Sequence, residues 1–347
     1  MAGSVRSAPT QRDVAAVAGV SRATVSAVIN GQAASHRIPA GTEKRVREAV
    51  QSLGYVANPA ARALRQKRNR LLGVHSFDSV FPISSRDFYH EFLIGVEQQA
   101  VAEGHDLVLF TSTEDPDGQR QLYRDGTNRL NVADGSVLLG VTHQTRDLAR
   151  LANEGYPFVH IGRRDVPGAE FAWVGADYEQ GTRQVVTRLA ELGHRRIGYL
   201  GSTARYESQI DRENGYLAAC AAEGIPPMPV YMRSEDLNLD WFRATVNGGV
   251  SAFVVVPEKH AQILADLAEQ SGLRIPQDLS IAVLTDAQGG PSPEIPWSAM
   301  QIPRQEIGRQ AVQLLARLLE NPASVTERQV LLPCVQPEET TMAERPE

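Results

Sequence analysis

The sequence predicts a small all-α domain at the N-terminus, followed by a larger two-lobed α/β body of parallel sheets flanked by helices. Residues 10–57 carry only helical patterns, whereas from Leu71 onward short apolar runs alternate with amphipathic helical segments. Regular alternation of strand and helix indicates parallel sheets with helices on both faces. A chain of 347 residues is also long for one domain, so we expect two similar lobes in the α/β part.

The N-terminal domain begins with a predicted helix that ends at a glycine. Val14, Val17 and Ala18 recur at helical spacing, and Gly19 then supplies a residue that tolerates a left-handed backbone. Residues 1–9 are small and polar, and we expect them to be disordered.

A second helix is predicted from Arg22 to Ile29. Ser21 is a suitable N-cap, and Val20 can pack on Val25 as a hydrophobic staple. One face of this helix has no apolar pattern and is predicted to bury nothing. Its residues are Arg22, Ala23, Ser26 and Ala27.

A third helix is predicted to end near Leu53, with Gly54 as its terminator. Its apolar residues recur at positions i, i+3, i+4 and i+7 and should complete a small core shared by the three helices. They are Val46, Ala49, Val50 and Leu53.

The segment after the third helix reads NPAARALRQKRNR and has few apolar residues. Asn58 is a plausible N-cap and Pro59 suits a first helical position, but so short a helix is unstable alone in water. We therefore expect residues 58–69 to be a linker that folds only against a partner.

The charge is distributed unevenly. Residues 1–70 contain 12 Lys and Arg against 3 Asp and Glu, whereas residues 71–347 contain 23 against 38. A basic domain on an acidic body predicts that the N-terminal part binds a polyanion.

The sequence lacks the residues expected of several classes of protein. No apolar run is long enough to cross a membrane, and the first residues have no apolar core of the secretory type, so we expect a cytoplasmic protein. Cys220 and Cys334 stand far apart, which indicates buried thiols rather than a metal site or disulfide framework. We find none of the GxSxG, GxxxxGK[ST] or HExxH motifs, so no catalytic residue, metal or cofactor is predicted.

With these features in place, the chain resembles the LacI/GalR (lactose-repressor) family of transcription regulators. The resemblance covers nearly the whole chain. It rests on DVAAVAGVSRATVSAVING, SLGYVANPAARAL, FLIGVEQQAVAEGHDLVLF, LAELGHRRIGYLG and IPRQEIGRQAVQLL, in the family's order.

The resemblance implies a domain organisation. Residues 10–57 would form a helix-turn-helix DNA-binding domain and residues 58–69 a hinge helix, while residues 70–347 would form the effector-binding and dimerisation body. This body would be like a periplasmic binding protein, with an N-lobe at about 70–170 and 301–328 and a C-lobe at about 171–300 and 329–347.

In helix-turn-helix proteins the second helix enters the major groove of DNA. Arg22 would then contact guanine with a two-pronged hydrogen bond, and Ala23 would offer only a methyl group. Ala27 stands where the family usually has a larger polar residue, often Arg. Short polar residues suited to phosphate oxygens are Ser21, Thr24, Ser26 and Asn30.

In the family, the hinge helix pairs with that of the dimer mate in the minor groove. Leu64 matches the apolar wedge, Ala61 the small residue where two hinge helices meet, and Asn58 the cap. Arg62 and Arg65 would add phosphate contacts.

The effector cleft departs from the family pattern. Phe88 and Tyr89 match family aromatics but follow Arg86 and Asp87 instead of Asn-Pro, and Thr285-Asp286 replaces the paired acids. Arg212 matches a family arginine that grips effector oxygens. Further candidates are Glu258 and Trp241, for which a helix-start carboxylate and core packing are the alternatives.

The predicted function is a dimeric, effector-controlled DNA-binding regulator, by default a repressor that binds a palindromic operator and a sugar or sugar derivative. A small-molecule binding protein and a regulator of a non-sugar metabolite remain alternatives, and the departures in the cleft favour testing the latter. An α/β enzyme is a third possibility that no motif supports.

Overall fold

The computed structural model describes residues 9–55, 69–77, 88–111, 120–140, 145–286 and 295–345. The chain divides into two compact units, Met1–Arg70 and Leu71–Glu347. Within the described ranges, no helix combines the length and apolar character needed to span a bilayer.

In the described part of the N-terminal unit, three helices end where the sequence predicted. They are α1 (Gln11–Ala18), α2 (Arg22–Ile29) and α3 (Ala40–Leu53). Gly19 and Gly54 end α1 and α3 in the left-handed conformation, with φ of 64° and 61°. Each glycine thus stops its helix for the reason the sequence suggested.

The core of this unit lies between the three helices. Buried apolar side chains from all three meet there, and Val20 packs against their edge. Helical spacing groups Val17 with Val14 and Ala18, but Val17 is 59% exposed, because α1 turns Val14, Ala15 and Ala18 inward instead.

The body contains the alternating strands and helices that the sequence predicted. Its strands are β1 (Leu71–Ser76), β2 (Asp106–Leu109), β3 (Tyr123–Arg124), β4 (Thr127–Asn128), β5 (Gly135–Leu139), β6 (Phe158–Ile161), β7 (Ala172–Asp177), β8 (Ile197–Gly201), β9 (Met228–Tyr231), β10 (Ala252–Val255), β11 (Ser280–Val283), β12 (Ser298–Ala299) and β13 (Gln329–Pro333). Its helices are α4 (His90–Ala102), α5 (Thr145–Asn153), α6 (Tyr178–Glu191), α7 (Glu207–Glu223), α8 (Leu239–Asn247), α9 (Glu258–Gln270) and α10 (Arg304–Glu320).

Two parallel sheets define two lobes. The first lobe has the strand order β13-β7-β6-β5-β1-β2, and the second lobe has β12-β11-β10-β8-β9. A short antiparallel pair, β3 and β4, lies outside both sheets. One cluster of buried apolar side chains extends from the first lobe into the second, so the two lobes share part of their core.

Glycines allow two helices of the first lobe to pack closely. A Cβ atom at Gly95 of α4 would clash with the carbonyl oxygen of Gln305, and one at Gly308 of α10 would clash with that of Phe92. The two helix backbones therefore touch where any larger residue would hold them apart.

The predicted lobe boundaries need correction at two strands. We expected residues 171–300 and 329–347 in the second lobe, but β7 and β13 pair with each other and with β6 in the first sheet. The chain thus passes between the lobes just after Asp177, between β12 and α10, and just after Pro333. Sequence periodicity identifies a strand but not the sheet it joins, which explains the error.

Candidate DNA-contacting helix and effector cleft

The N-terminal turn of α2 presents two of the predicted DNA-contacting residues to solvent. Arg22 and Ala23 are exposed. The Ser21 Oγ accepts a hydrogen bond from the Thr24 backbone N–H at 3.1 Å, so Ser21 caps the helix. This cap fixes the end of α2 from which Arg22 projects.

At the other end of α2, two predicted phosphate-contacting residues interact with each other. The Asn30 Nδ2 donates to the Ser26 carbonyl oxygen at 2.7 Å and to its Oγ at 3.2 Å. Part of their hydrogen-bonding capacity is therefore used inside the helix, and Ser26 is only half-exposed.

Ala27 does not lie on an exposed face, which corrects the sequence prediction. The residue is 7% exposed, and its carbonyl oxygen accepts a hydrogen bond from the Gln32 N–H at 2.8 Å. This bond belongs to the turn that follows α2, which helical spacing alone does not reveal. As an alanine, residue 27 offers DNA almost no surface.

A capping interaction at the start of α1 escaped the sequence prediction. The Asp13 Oδ2 accepts hydrogen bonds from the Thr10 N–H at 2.8 Å and Thr10 Oγ1 at 2.7 Å. These bonds from Thr10 lower the pKa of Asp13. The Thr-x-x-Asp spacing at residues 10–13 was the available signal.

The predicted hinge residues cannot be compared with the structure. Asn58, Ala61, Arg62, Leu64 and Arg65 lie outside the described residues.

In the body, a cavity that is partly open to solvent lies where the strands of the first lobe end. Two of the predicted effector residues, Phe88 and Tyr89, line it, and their rings meet edge to face with centroids 5.2 Å apart. Residues from both lobes complete the lining, among them Arg163, Tyr178 and Asp211. Ligands bind parallel α/β sheets at this end of the strands.

Arg212, another predicted effector residue, is buried beside this cavity. Its Nε donates to the Leu284 carbonyl oxygen at 2.8 Å and its Nη1 to that of Ser208 at 2.9 Å. Its guanidinium lies over the Tyr178 ring, with Cζ 3.8 Å from the centroid. Burial raises the pKa of Tyr178, so this ring stays neutral beneath the cation.

Asp286, also predicted, pairs with an arginine that the sequence prediction missed. The Arg304 Nη1 donates to Asp286 Oδ2, and the Arg304 guanidinium lies 4.6 Å from the centroid of the Phe88 ring. Arg304 is 7% exposed although it is the first residue of α10. A cation at a helix N-terminus is unfavourable by itself, and this was the signal that it serves a specific contact.

Two further arginines follow β6 and reach across to α7. The Arg163 Nη2 and Nε donate to the Asp211 carboxylate at 2.7 and 3.2 Å. The Arg164 Nη1 donates to Glu207 Oε2 at 2.7 Å. Burial raises the pKa of Asp211, and the Arg163 guanidinium opposes this shift.

These contacts form an inter-lobe clasp, which we define as the pairs Arg163–Asp211, Arg164–Glu207 and Arg304–Asp286. In all three, the arginine belongs to the first lobe and the carboxylate to the second. The sequence prediction missed the clasp, although the run Arg163-Arg164-Asp165 directly after an apolar strand was a visible signal.

Two other predicted effector residues do not line the cavity. Trp241 packs in the core of the second lobe, with its ring 6.2 Å from that of Phe253, so core packing is the correct interpretation. Glu258 is the half-buried first residue of α9 and favours the helix-start interpretation. Arg86 lies outside the described residues.

The chain crossings between lobes run beside the same cleft. Tyr178 follows the first crossing, Arg304 the second and Cys334 the third. Burial raises the pKa of the Cys334 thiol to about 11, so it is neutral at physiological pH. No group of three His, Cys, Asp or Glu side chains in the described ranges is arranged to hold a metal ion.

Each of the two units of the chain matches a known protein family model. Residues 10–58 match the family model "Bacterial regulatory proteins, lacI family", and residues 186–341 match the model of a periplasmic binding protein-like domain. The chain belongs to the LacI family. This LacI-family chain is 29% identical over 341 residues to the HTH-type transcriptional regulator CelR of Thermobifida fusca, a match that covers 94% of the chain and 96% of the relative.

Solved LacI-family structures share the fold. The structure described as a transcriptional regulator CelR–cellobiose complex has a TM-score of 0.60 at 24% identity and covers 96% of this chain and 99% of its own. The lac repressor dimer bound to operator and the anti-inducer ONPF has a TM-score of 0.70 at 22% identity. The match covers 97% of this chain and 100% of the repressor chain. At these identities the likeness supports the fold alone.

Proposed function

We propose that this LacI-family chain is a dimeric transcription regulator that binds a palindromic operator. A small molecule in the cleft changes its affinity for that operator. The observation that carries the proposal is the exposed N-terminal turn of α2, with Arg22 at its start, on a unit with 12 basic against 3 acidic residues. Operator DNA lies in the chromosome, so the proposed location is the cytoplasm.

DNA reading is assigned to α2. Arg22 would supply a bidentate bond to guanine, worth about 1–3 kcal/mol of discrimination, and Ala23 would allow close approach to a thymine methyl. Phosphate contacts would come from the hydrogen-bonding groups that are not used within the helix, on Ser21, Thr24, Ser26 and Asn30. The hinge residues Asn58, Ala61, Arg62, Leu64 and Arg65 would complete the contact in the minor groove.

Effector control is assigned to the cleft. A molecule bound between the lobes can act only through its different affinity for two arrangements of them, typically a coupling of about 1–3 kcal/mol. The clasp supplies the contacts that such a molecule would strengthen or replace. A relative whose structure is described with cellobiose supports a sugar-like effector, and operator-bound lac repressor supports a dimer.

Operator selection from random duplex DNA tests the proposal with the full-length protein. We expect a palindromic site, an affinity that falls steeply with salt, and relaxed preference at one base pair per half-site in Arg22→Ala. Arg47→Ala is the matched control, because Arg47 lies on α3 and is paired with Glu43 at 2.7 Å. Failure to enrich any sequence at moderate salt would refute the proposed function.

A further inference from the structure

Arg212 differs from the arginines of the clasp in its hydrogen-bond partners. Each arginine of the clasp is matched by a carboxylate, whereas Arg212 is 4% exposed and its printed hydrogen bonds end on two backbone carbonyl oxygens. In the described ranges, no carboxylate lies within ion-pairing distance of Arg212. Asp211 interacts with Arg212 electrostatically but directs its hydrogen bonds to Arg163, so Arg212 keeps its place at this end of the cleft through backbone carbonyl oxygens alone.

The second observation concerns the hydrogen-bond donors of the Arg304 guanidinium. Its Nη1 binds Asp286, but its Nε and Nη2 are shielded from solvent and find no hydrogen-bond partner among the described residues. Nε and Nη2 form the fork with which an arginine holds both oxygens of one oxyanion. Arg163 uses this same fork on Asp211.

The two arginines flank one short segment of the second lobe. Arg212 binds the carbonyl oxygen of Leu284, and Arg304 binds the side chain of Asp286, two residues further on. Each guanidinium also stacks on a ring that lines the cavity, Tyr178 for Arg212 and Phe88 for Arg304. Both cations are thus held in fixed planes at the edge of the same space.

The carboxylates of the cleft are poorly placed to bind sugar hydroxyls. Asp286, Asp211 and Glu207 each already accept hydrogen bonds from an arginine. The arginine bonds use part of the acceptor capacity of these carboxylates and leave less of it for the hydroxyl groups of a neutral sugar. An oxyanion, by contrast, meets donors whose hydrogen bonds are not yet made.

We propose that the effector of this regulator carries an oxyanion, a carboxylate or a phosphate group on a small polyol, and that Arg304 and Arg212 receive it. The inference rests on the proposed function and names the ligand class of that same cleft. Because the Arg304 fork is shielded in the observed arrangement, the oxyanion reaches it as the lobes separate. Ligand charge is thereby coupled to lobe position.

Calorimetric titration of the full-length protein with matched pairs of compounds tests this inference. The pairs are cellobiose with cellobionate, galactose with galacturonate, and glucose with glucose 6-phosphate, and inorganic phosphate is titrated alone. We expect an acid or phosphate to bind at least about tenfold more tightly than its neutral parent. The first two pairs report on a carboxylate and the third on a phosphate.

Variants assign the preference to Arg304. Arg304→Gln should reduce affinity for the preferred anion at least about tenfold more than affinity for the neutral parent, while Arg304→Lys should retain part of the preference. Arg309→Gln is the control, because Arg309 lies on the same helix, is half-exposed and is paired with Glu306 at 2.8 Å. Thermal melting verifies that each variant is folded.

Three results would overturn the inference: neutral sugars that bind as tightly as their acids, no binding by any anionic compound, or an unchanged preference in Arg304→Gln. Operator binding is measured separately by gel shift. If the wild-type protein selects an operator but does not prefer anionic compounds, only the ligand class is refuted, whereas absence of operator selection refutes the proposed function.

Discussion

Arg164 of the first lobe donates to Glu207 of the second over 2.7 Å, and the two side chains are only 8% and 10% exposed. The pair joins the segment after β6 to the first turn of α7. Because these elements belong to different lobes, the pair is both a stability element and a restraint on lobe movement. The adjacent pair of Arg163 and Asp211 reinforces it.

We expect Glu207→Gln to lower the free energy of unfolding of the body by about 3–5 kcal/mol, because Arg164 would remain buried without its counter-charge. Urea unfolding followed by tryptophan fluorescence measures the change. Arg188→Ala, which breaks the exposed pair with Glu339, is the control and should have little effect. Equal losses in the two variants would contradict the structural role assigned to the buried pair.

The local pattern of residues predicted most of the fold. α1, α2 and α3 have the predicted ends because a glycine or a capping serine acts within one turn of the chain. The inner strands of the two sheets, such as β5 and β10, are short buried apolar runs, as the sequence indicated. The sheet that β7 and β13 join is decided by pairing between strands far apart in the sequence. The local pattern of residues does not contain this information.

The site was predictable where a residue type suits one chemistry, and not where contacts are long-range. Phe88, Tyr89, Arg212 and Asp286 do gather around the cleft. Arg304 comes from a helix far along the chain, and only the fold brings it to Asp286. Trp241 could not be assigned from sequence, because aromatic residues serve cores and ligand sites equally well.

His75→Leu should raise the stability of the body at pH 7 by about 1 kcal/mol or more, because it removes an unsatisfied buried polar group. His75 is fully buried in β1, and neither ring nitrogen has a partner among the described residues. His160→Leu is the matched control, since the His160 Nδ1 donates to the Gly162 carbonyl oxygen at 2.8 Å and the variant loses that bond. Any loss of stability in His75→Leu, measured by urea unfolding, would contradict this prediction.

The same two histidines predict sensitivity to acid. Burial lowers the pKa of His75 and of His160 from 6.5 to about 3, so below pH 6.5 the unfolded chain takes up protons that the folded chain does not. The contribution of the two neutral histidines to the free energy of unfolding is complete above pH 6.5. It falls toward pH 3 by about 1.4 kcal/mol per pH unit for each histidine. The double variant His75→Leu/His160→Leu should show a shallower fall in urea midpoint between pH 6.5 and 5. Parallel curves for the variant and the wild type would exclude this cause.

The contact between α4 and α10 provides the last prediction. Gly308→Ala places a methyl group against the Phe92 carbonyl oxygen, and two packed helix backbones must then separate. We expect a loss of at least about 1–3 kcal/mol in the unfolding of the body, as for other overpacked sites. Gly41→Ala on α3 is the control, because its new methyl group meets no atom within 4 Å and alanine favours helix. A melting temperature of the body in Gly308→Ala equal to that of the wild type would show that α4 and α10 tolerate separation, and would refute close glycine packing as the link between them.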